Sequence, residues 1–432
     1  MKDSIQQFFT LPPVGPLNGY LVLEIGGNVS GPMATEKLAR EGACVIKVEL
    51  AGGDPARNYL SHSIFTSCNA GKASIVINKS KAEDQKIYQE ILGMAHVIVD
   101  NRSPDAKMRD EDLQQFLHGP KTQPVIFCSI VGYDSQEFHD RSALDVAVQA
   151  EIGMAMVNGA APHQPLKVGF VVIDITTGWE AASAVKSHLL ALERGIIKIP
   201  ESKVIFLEQS MAKTGAMLLS GQYLATFEKK QDSFRKGNRD LWLAPFSFYK
   251  TRDDMISIAI IGDPLFKTFC EKVLYVPELV EKYPTNQSRL LNIDAFEQDI
   301  SAILLQKSAA EWVERCQEHG IVCCKVNTIS EMLAQPFAKQ MITFTATGTP
   351  IIADPCRSSA YPAKALVDAP KLNEHREAIL ELLNTGKDFS EMYDFFCRQG
   401  VRSEAADGLL PLYHLHKTPD SSNPTLKRKA KL

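Results

Sequence analysis

The segment Tyr20–Arg57 constrains the fold of this chain more than any other stretch of its sequence. It contains an apolar strand (Leu21–Ile25), a glycine-rich bend, a helix and a second strand (Val45–Val48). Two strands joined through a helix form a βαβ unit, in which the strands run parallel and the crossover is right-handed. A glycine-rich bend lets a ligand approach the helix N-terminus, where free N–H groups favour anions. The segment therefore predicts an α/β fold with a ligand site at the bend.

The bend lacks the fingerprint of a nicotinamide dinucleotide site. Its glycines are Gly26, Gly27 and Gly31, followed by Pro32, whereas the fingerprint requires GxGxxG. The phosphate-loop motif GxxxxGK[ST] does not occur in the chain either. Glu49 does end the second strand, where a dinucleotide-binding enzyme keeps its ribose-binding carboxylate. On the bend alone, the nicotinamide class therefore stays open.

Length and composition narrow the class of protein. A chain of 432 residues exceeds the usual size of a single core, so we expect two domains. The net charge of −4 gives no reason to expect nucleic acid or an anionic membrane as a partner. The nine cysteines lack metal-ligand spacing, and neither a signal peptide nor an 18-residue apolar run is present. These features predict a cytoplasmic, soluble protein without a metal site.

Strand-like runs alternate with amphipathic segments in the first half of the chain, which is the rhythm of a doubly wound sheet. Two long helices are predicted at Ala181–Glu193 and Lys203–Phe227, after which the composition shifts to a charged linker. A compact mixed segment follows from Trp242 to about Val326. The other predicted strands are Ser74–Ile77, Val97–Val99, Val125–Ser129 and Met255–Ile260, and the other predicted helices are Leu265–Leu274, Ile293–Leu305 and Arg376–Leu383.

Several blocks of the chain together resemble one family. They include GPMATEKLAREGACVIKVELAGGDPAR, NAGKASIVIN, AHVIVDNRSP, SIVGYD, VGFVVIDITTGWEAASAVKSHLLALERG, APFSFYKTRDDMISIAI and WVERCQEHGIVCCKV. In this order they resemble the class III CoA-transferases, a family that includes formyl-CoA and carnitine CoA-transferases and the α-methylacyl-CoA racemases.

The resemblance implies an architecture. Family members have a large Rossmann-like domain built from both chain ends, a smaller α+β domain between them, and two subunits threaded as interlocked rings. On this basis residues 1–228 form the first part of the large domain and residues 229–340 the small domain with its linkers. Residues 341–432 then form the C-terminal part of the large domain and a basic tail. The resemblance therefore predicts an interlocked homodimer.

Asp174 is the candidate catalytic residue. It follows the apolar run Val168–Ile173 and precedes a helical pattern, so the residues alone indicate a helix N-cap at a strand end. The resemblance implies a different role, because the catalytic aspartate of the family stands at this point, before DITTGWEAA. The implied reaction moves CoA from an acyl-CoA to a small carboxylic acid through aspartyl anhydride and aspartyl-CoA thioester intermediates. CoA and acyl-CoA are then substrates, and no tightly bound cofactor is expected.

The resemblance also implies a set of CoA-binding residues. Val29 and Ser30, at the bend, contact CoA through their backbone, and Arg102 stands where a ring often packs on adenine. The remaining candidates are Lys72, Asn101 and Arg109 for CoA and Tyr133 for the groove. For each cation the alternative is a solvated surface residue, and for the tyrosine it is a place in the core.

Two other functions stay open. The racemase branch of the family needs a histidine directly before an aspartate to act as a base, and this chain has Leu144 before Asp145. KGNRDLW replaces the glycine-rich lid of formyl-CoA transferase, which favours a non-catalytic acyl-CoA-binding protein. The presence of Asp174 argues against that second alternative.

Overall fold

The computed structural model describes residues 15–59, 62–134, 137–138, 141–159, 164–230, 237–345, 347–356 and 367–385. Six strands form a parallel sheet in the order β3-β2-β1-β4-β5-β6. This is the strand order of a doubly wound sheet, in which the switch point lies between β1 and β4. The strands are β1 (Leu21–Ile25), β2 (Cys44–Glu49), β3 (Ala73–Val76), β4 (Val97–Asp100), β5 (Val125–Val131) and β6 (Val204–Ser210).

Helices cover both faces of this sheet, which explains why its central strands read as nearly continuous apolar runs. Successive residues of β1 point to opposite faces, so Val22 packs in one core and Leu21 and Leu23 pack in the other. The helices of this part are α1 (Ser30–Arg40), α2 (Ser63–Asn69), α3 (Ala82–Met94), α4 (Pro104–Met108), α5 (Glu111–His118), α6 (Asp145–Glu151), α7 (Met154–Val157), α8 (Val172–Glu193), α9 (Met211–Leu218) and α10 (Ser220–Lys229), with a 3-10 turn at Pro55–Asn58.

The prediction of one long helix over Lys203–Phe227 is wrong. Its first third is the edge strand β6, and the rest is the helix pair α9 and α10. The β-branched start of the segment suits a strand, and pairing with β5 along its whole length stabilises that conformation. Ser210 then ends the strand and caps α9, because its side chain accepts the N–H of Lys213 (3.3 Å).

A second sheet has a core of its own. Strands β7 (Phe246–Lys250), β8 (Met255–Ala259) and β9 (Val322–Lys325) pair antiparallel, and the described buried residues of their core lie between Ala244 and Cys323. The predicted strand and helices of this segment are confirmed within a few residues at their ends. The helices are α11 (Asp263–Thr268), which continues as a π-helical turn (Phe269–Leu274), α12 (Glu278–Lys282), α13 (Asn286–Leu291), α14 (Ile293–Leu304) and α15 (Ala309–Glu318).

The C-terminal part of the described chain returns to the first sheet. Helix α18 (Arg376–Thr385) buries Ile379 completely in the core that also holds Leu21. The side-chain oxygen Oδ1 of Asn373 accepts a hydrogen bond from the N–H of Val76 (2.8 Å). This bond holds a segment about 300 residues further along the chain against β3. The elements before it are α16 (Ile329–Ala334), α17 (Ala338–Met341), β10 (Ile342–Phe344) and β11 (Pro350–Ile352).

The predicted basic tail lies outside the described residues. Across the described ranges, we find no helix that is both long enough and apolar enough to cross a membrane.

Candidate active site

The bend after β1 is built around the side chain of Asn101. Gly26 and Asn101 are the first residues beyond two paired strand ends, because Ile25 lies opposite Asp100 in the register. The Asn101 amide donates to the carbonyl of Gly27 (2.8 Å) and accepts from its N–H (3.1 Å). Gly26 has a φ of 126°, and a Cβ there would lie 2.0 Å from Asn101 Oδ1. Only glycine therefore fits at this point of the bend.

The bend leads directly into the N-terminus of α1. Val29 occupies the N-cap position and Ser30 is the first helical residue, so both predicted residues lie at the helix terminus. No side chain accepts a capping hydrogen bond from the N-terminus of this 11-residue helix, and its first turn contains no acidic residue. The free N–H groups of such a turn favour a negatively charged ligand.

Asp174 lies inside the first turn of α8 and not before it, which corrects the position predicted from the sequence. The helix begins at Val172, and the apolar run Val168–Ile173 forms no strand. The helix starts this early because Asp145, on α6, supplies the acceptor that its N-terminus needs. One carboxylate oxygen of Asp145 accepts the N–H of Ile173 (2.7 Å) and that of Asp174 (3.3 Å).

A close crossing of α1 and α8 brings the bend and Asp174 together. A Cβ on Gly178 would lie 2.6 Å from the carbonyl oxygen of Ser30 and 2.8 Å from Met33 Cβ. The hydroxyl of Ser30 lies close enough to the carboxylate of Asp174 to lower its pKa. The amide of Asn101 in turn donates to Ser30 Oγ (3.2 Å). Three predicted residues, Asn101, Ser30 and Asp174, therefore lie together at this crossing.

The surroundings of Asp174 make its carboxylate unusually basic. Burial is the largest cause and the charge of Asp145 the second, and against the opposing hydrogen bond from Ser30 they raise the pKa of Asp174 to about 6. This pKa still lies below 7, so the carboxylate is mostly ionised at neutral pH. A carboxylate that is both ionised and more basic than usual is suited to nucleophilic attack.

Lys72 lies beneath the bend, inside the protein. Its ammonium donates to Glu24 (2.6 Å), to the carbonyl of Pro32 (2.8 Å) and to Asn69 (3.0 Å), and its side chain is fully buried. Burial alone would raise the pKa of Glu24, but the ammonium groups of Lys47 and Lys72 lower it to about 2. The predicted CoA-binding lysine is therefore part of a buried charge network that supports the start of α1.

A cleft of about 320 Å³ opens beside the bend, at the carboxyl ends of β1 to β4. Arg102 lines it, with its guanidinium held by Asp100 (2.7 Å) and Asp110 (2.9 Å). Lys79 also lines the cleft, pairs with Asp110 and lies 4.3 Å from the ring centroid of Tyr88. This is the switch-point position where doubly wound folds bind their ligands.

Arg109 and Tyr133 are not among the residues that line this cleft. The side chain of Arg109 is 77% exposed, and its guanidinium pairs with the carboxylate of Asp105, four residues earlier in the chain. Tyr133 packs in the core on the α8 side of the sheet and donates its hydroxyl hydrogen bond to Glu151.

Reasoning from the sequence missed two features of this site. It considered Asp145 only as a racemase position and did not identify its contact with α8, because a contact between residues 29 apart leaves no local pattern. It also missed Lys79, although a cation three residues beyond a buried strand is a signal that could have been used. Among the described residues, no group of three or more His, Cys, Asp and Glu side chains is arranged to hold a metal ion.

Comparison with known proteins gives consistent matches over most of the chain. The sequence model of the family described as CoA-transferase family III matches residues 17–376. The succinate–glutarate CoA-transferase of Agrobacterium fabrum is 26% identical over 395 residues, which cover 86% of this chain and 96% of that enzyme. The acetyl-CoA:oxalate CoA-transferase of Acetobacter aceti is 28% identical over 381 residues, which cover 85% of this chain and 95% of that enzyme.

The fold also matches a solved structure. A CAIB/BAIF family protein from Brucella suis superposes with a TM-score of 0.75 at 25% sequence identity. The superposition covers 86% of this chain and 100% of that protein.

Proposed function

Because this chain belongs to CoA-transferase family III, as its motifs predict, we propose that Asp174 is the nucleophile of its reaction. A CoA-transferase moves CoA from an acyl-CoA thioester to a free carboxylic acid. The observation that carries the proposal is the position of Asp174. It is a largely buried carboxylate with a raised pKa, beside Ser30 at the N-terminus of α1. Carboxylates in such surroundings are suited to attack on a carbonyl carbon.

The proposed reaction proceeds through covalent intermediates. A carboxylate oxygen of Asp174 attacks the thioester carbonyl carbon, the carbon–sulfur bond breaks, and an aspartyl anhydride and CoA thiolate result. The thiolate then attacks the side-chain carbonyl carbon of Asp174 and releases the donor acid, which leaves an aspartyl-CoA thioester. The acceptor carboxylate repeats the sequence in reverse, forming a second anhydride from which the thiolate removes the acceptor as its CoA ester. Asp174 returns to its free carboxylate.

The N-terminus of α1 supplies the electrostatic part of this chemistry. Each step places negative charge on a carbonyl oxygen, and donors fixed in advance around that oxygen lower the barrier. The first turn of α1 has no side-chain cap and offers the backbone N–H groups of Ser30 and Gly31, since Pro32 has none, and the Ser30 hydroxyl lies beside Asp174. These groups support an oxyanion site made by Val29 and Ser30.

The cleft beside the bend supports a binding site for the nucleotide part of CoA. Arg102 offers a planar cation to an adenine ring or a phosphate, and Asn101 fixes the adjoining backbone. Arg109 is exposed, and a phosphate can compete with the Asp105 carboxylate for its guanidinium. Lys72 is fully enclosed, and we infer that it serves the site by holding Glu24 and the start of α1. We infer that Tyr133 contributes to the CoA groove from within the core, where its ring packs.

We also infer that the chain forms two domains and assembles as an interlocked homodimer in the cytoplasm. The separate core between Ala244 and Cys323, and the packing of Ile379 on the first sheet, support a large domain built from both chain ends. Helix α10 has no buried residue, and Phe227 on it is 81% exposed. Exposed apolar surface of this kind is commonly covered by a partner subunit.

Small carboxylic acids are the proposed acceptors, because the relatives above are named for succinate, glutarate and oxalate. The epimerase alternative lacks support, since Leu144 offers no group that transfers a proton.

An exchange assay tests the proposal. Succinyl-CoA and acetyl-CoA are incubated with isotopically labelled acids, and labelled CoA esters are measured by mass spectrometry. We expect wild-type exchange with at least one acid, and its loss in Asp174→Ala with CoA affinity retained. Glu90→Ala, which removes an exposed carboxylate away from the candidate site residues, is the matched control and keeps full exchange. Exchange by Asp174→Ala would overturn the assignment, and CoA binding without exchange by wild type would support the non-catalytic alternative.

A further inference from the structure

The helix that carries Asp174 is capped by a residue from another helix. The N-cap position of α8 is Val171, whose side chain cannot accept a hydrogen bond. Asp145, the first residue of α6, takes this role, because its Oδ2 accepts the N–H groups of Ile173 and Asp174. The cap is therefore a carboxylate that lies beside the candidate nucleophile itself.

Gln149 fastens this cap from one turn further along α6. Its amide donates to Asp145 Oδ1 (2.5 Å), and its carbonyl accepts the N–H of Val168 (2.8 Å). Both side chains are buried, with Asp145 6% and Gln149 1% exposed. The two residues together hold the backbone from Val168 to Asp174 at both of its ends.

The charge of this cap acts directly on Asp174. Among the described residues, Asp145 of α6 is the charged group that shifts the pKa of Asp174, and it raises that pKa. From α1, the neutral hydroxyl of Ser30 opposes the effect. Two carboxylates held close together repel each other, which disfavours the ionised form of Asp174.

Acylation removes this repulsion. When Asp174 becomes an anhydride or a thioester it carries no charge, so the unfavourable interaction with Asp145 exists only before the reaction. An interaction that is unfavourable in the ground state and relieved along the reaction lowers the barrier.

We propose that Asp145 is a positioning residue of the transfer reaction, which fixes the first turn of α8 and keeps the Asp174 carboxylate reactive through its own negative charge. The inference rests on the proposed role of Asp174 as the nucleophile. It assigns two separable effects to one side chain, a hydrogen-bonding effect on position and a charge effect on reactivity.

Two variants separate these effects. Asp145→Asn removes the charge and keeps one acceptor oxygen for the N–H groups of Ile173 and Asp174, with loss of the hydrogen bond from Gln149. Asp145→Glu keeps the charge and lengthens the side chain. The readout is kcat/KM for acyl-CoA between pH 4.5 and 8, which reports the ionisation of the free enzyme. For wild type we expect activity to fall as the pH drops through about 6, where Asp174 takes up its proton.

In Asp145→Asn, the acid limb of this profile moves to lower pH by roughly one unit, and the rate on the plateau falls. In Asp145→Glu the acid limb stays in place while the rate falls, because the cap is displaced and the charge is kept. Ser30→Ala is the control of opposite sign: loss of a hydroxyl that lowers the pKa of Asp174 moves the acid limb to higher pH.

The outcomes distinguish the inference from the function on which it rests. An unchanged acid limb in Asp145→Asn, or equal shifts in the Asn and Glu variants, overturns the charge effect even if Asp174 is the nucleophile. Full plateau rates in both variants overturn the positioning effect. If Asp145→Asn fails to fold, the Glu variant decides, because its acid limb must still match wild type. Exchange by Asp174→Ala, by contrast, overturns the proposed function and the inference with it.

Discussion

Asp174 occupies surroundings that are unfavourable for its own charge. It is largely buried, its neighbour Asp145 is a second carboxylate, and one hydroxyl, from Ser30, offsets their effect. In the unfolded chain the same carboxyl would have its ordinary pKa of 3.8, against about 6 in the folded protein. Ionisation of Asp174 therefore lowers the free energy of unfolding, because the native state holds this group more easily in the protonated form. The penalty begins above pH 3.8 and is fully present above about pH 6.

Asp174→Asn should consequently stabilise the protein at neutral and alkaline pH. The amide has nearly the shape of the carboxyl group and carries no charge, so the variant does not bear the cost of ionisation. We expect a higher Tm than wild type at pH 8, a difference that narrows as the pH falls through 6 and is lost below about pH 4. Differential scanning fluorimetry across this range measures it.

Asp105→Asn is the matched control for this measurement. Its carboxylate is exposed, and we expect a change of less than about 0.5 kcal/mol in unfolding free energy at every pH. A lower Tm for Asp174→Asn at pH 8 would show that the carboxylate is not under electrostatic strain.

The buried lysine beneath the bend gives a second test at this scale. Lys72→Met removes one of the two ammonium groups that lower the pKa of Glu24 and leaves that carboxylate under-compensated in the interior. We expect a loss of roughly 3–5 kcal/mol in unfolding free energy by urea denaturation, with CoA affinity little changed in the molecules that remain folded. Lys86→Met, at an exposed ion pair, should change it by less than about 0.5 kcal/mol. A large loss of CoA affinity at unchanged stability would instead support direct contact of Lys72 with CoA.

At the scale of elements, the contact between α1 and α8 sets the geometry of the site. α1 carries the bend and Ser30, α8 carries Asp174, and Gly178 lets their backbones approach closely. The same crossing also packs Ala34, Ala181 and Ala182 into one core. Small residues along both helices therefore define the distance between the bend and the nucleophile.

Gly178→Ala should disturb this distance. The new methyl group would lie 2.6 Å from the backbone oxygen of Ser30, so the helices must separate. We expect a loss of about 1–3 kcal/mol in unfolding free energy and a fall in kcat larger than the rise in KM. Gly93→Ala is the control, because the same change in α3 meets no atom within 4 Å and should stabilise by about 0.5–1 kcal/mol. Equal kcat values for wild type and Gly178→Ala would contradict the role of this crossing.

At the scale of the whole molecule, the chain exposes a large apolar surface. Exposed apolar residues lie along the edge strand and the helices that follow it; they include Phe206, Met217, Leu224 and Phe227.

If the subunits are interlocked rings, they cannot exchange without unfolding. Mixing tagged and untagged homodimers should give no mixed species over days, whereas co-expression or joint refolding should give it. Rapid exchange on mixing would contradict the interlocked arrangement.

The sequence predicted those parts of the molecule that depend on local patterns. The strand Leu21–Ile25 and the helix at Ile293 were predicted to within a residue, because periodicity and apolar content determine them. The strand β6 was missed because only the short polar stretch Glu208–Ser210 lies between its apolar residues and those of the two helices that follow, and pairing with β5 separates them. The role of Asp145 was missed for a related reason: a carboxylate that caps another helix has no signature in its own neighbourhood.

Trapping the covalent intermediate tests directly whether Asp174 is the nucleophile. The protein is incubated with acyl-CoA and then with hydroxylamine, which converts an aspartyl anhydride or thioester to a hydroxamate, and the adduct is located by peptide mass spectrometry. We expect a hydroxamate on the peptide that contains Asp174 in wild type and none in Asp174→Asn. A hydroxamate on another residue, or active CoA exchange with no adduct at Asp174 across a panel of acyl-CoA esters, would contradict the assignment of Asp174 as the nucleophile.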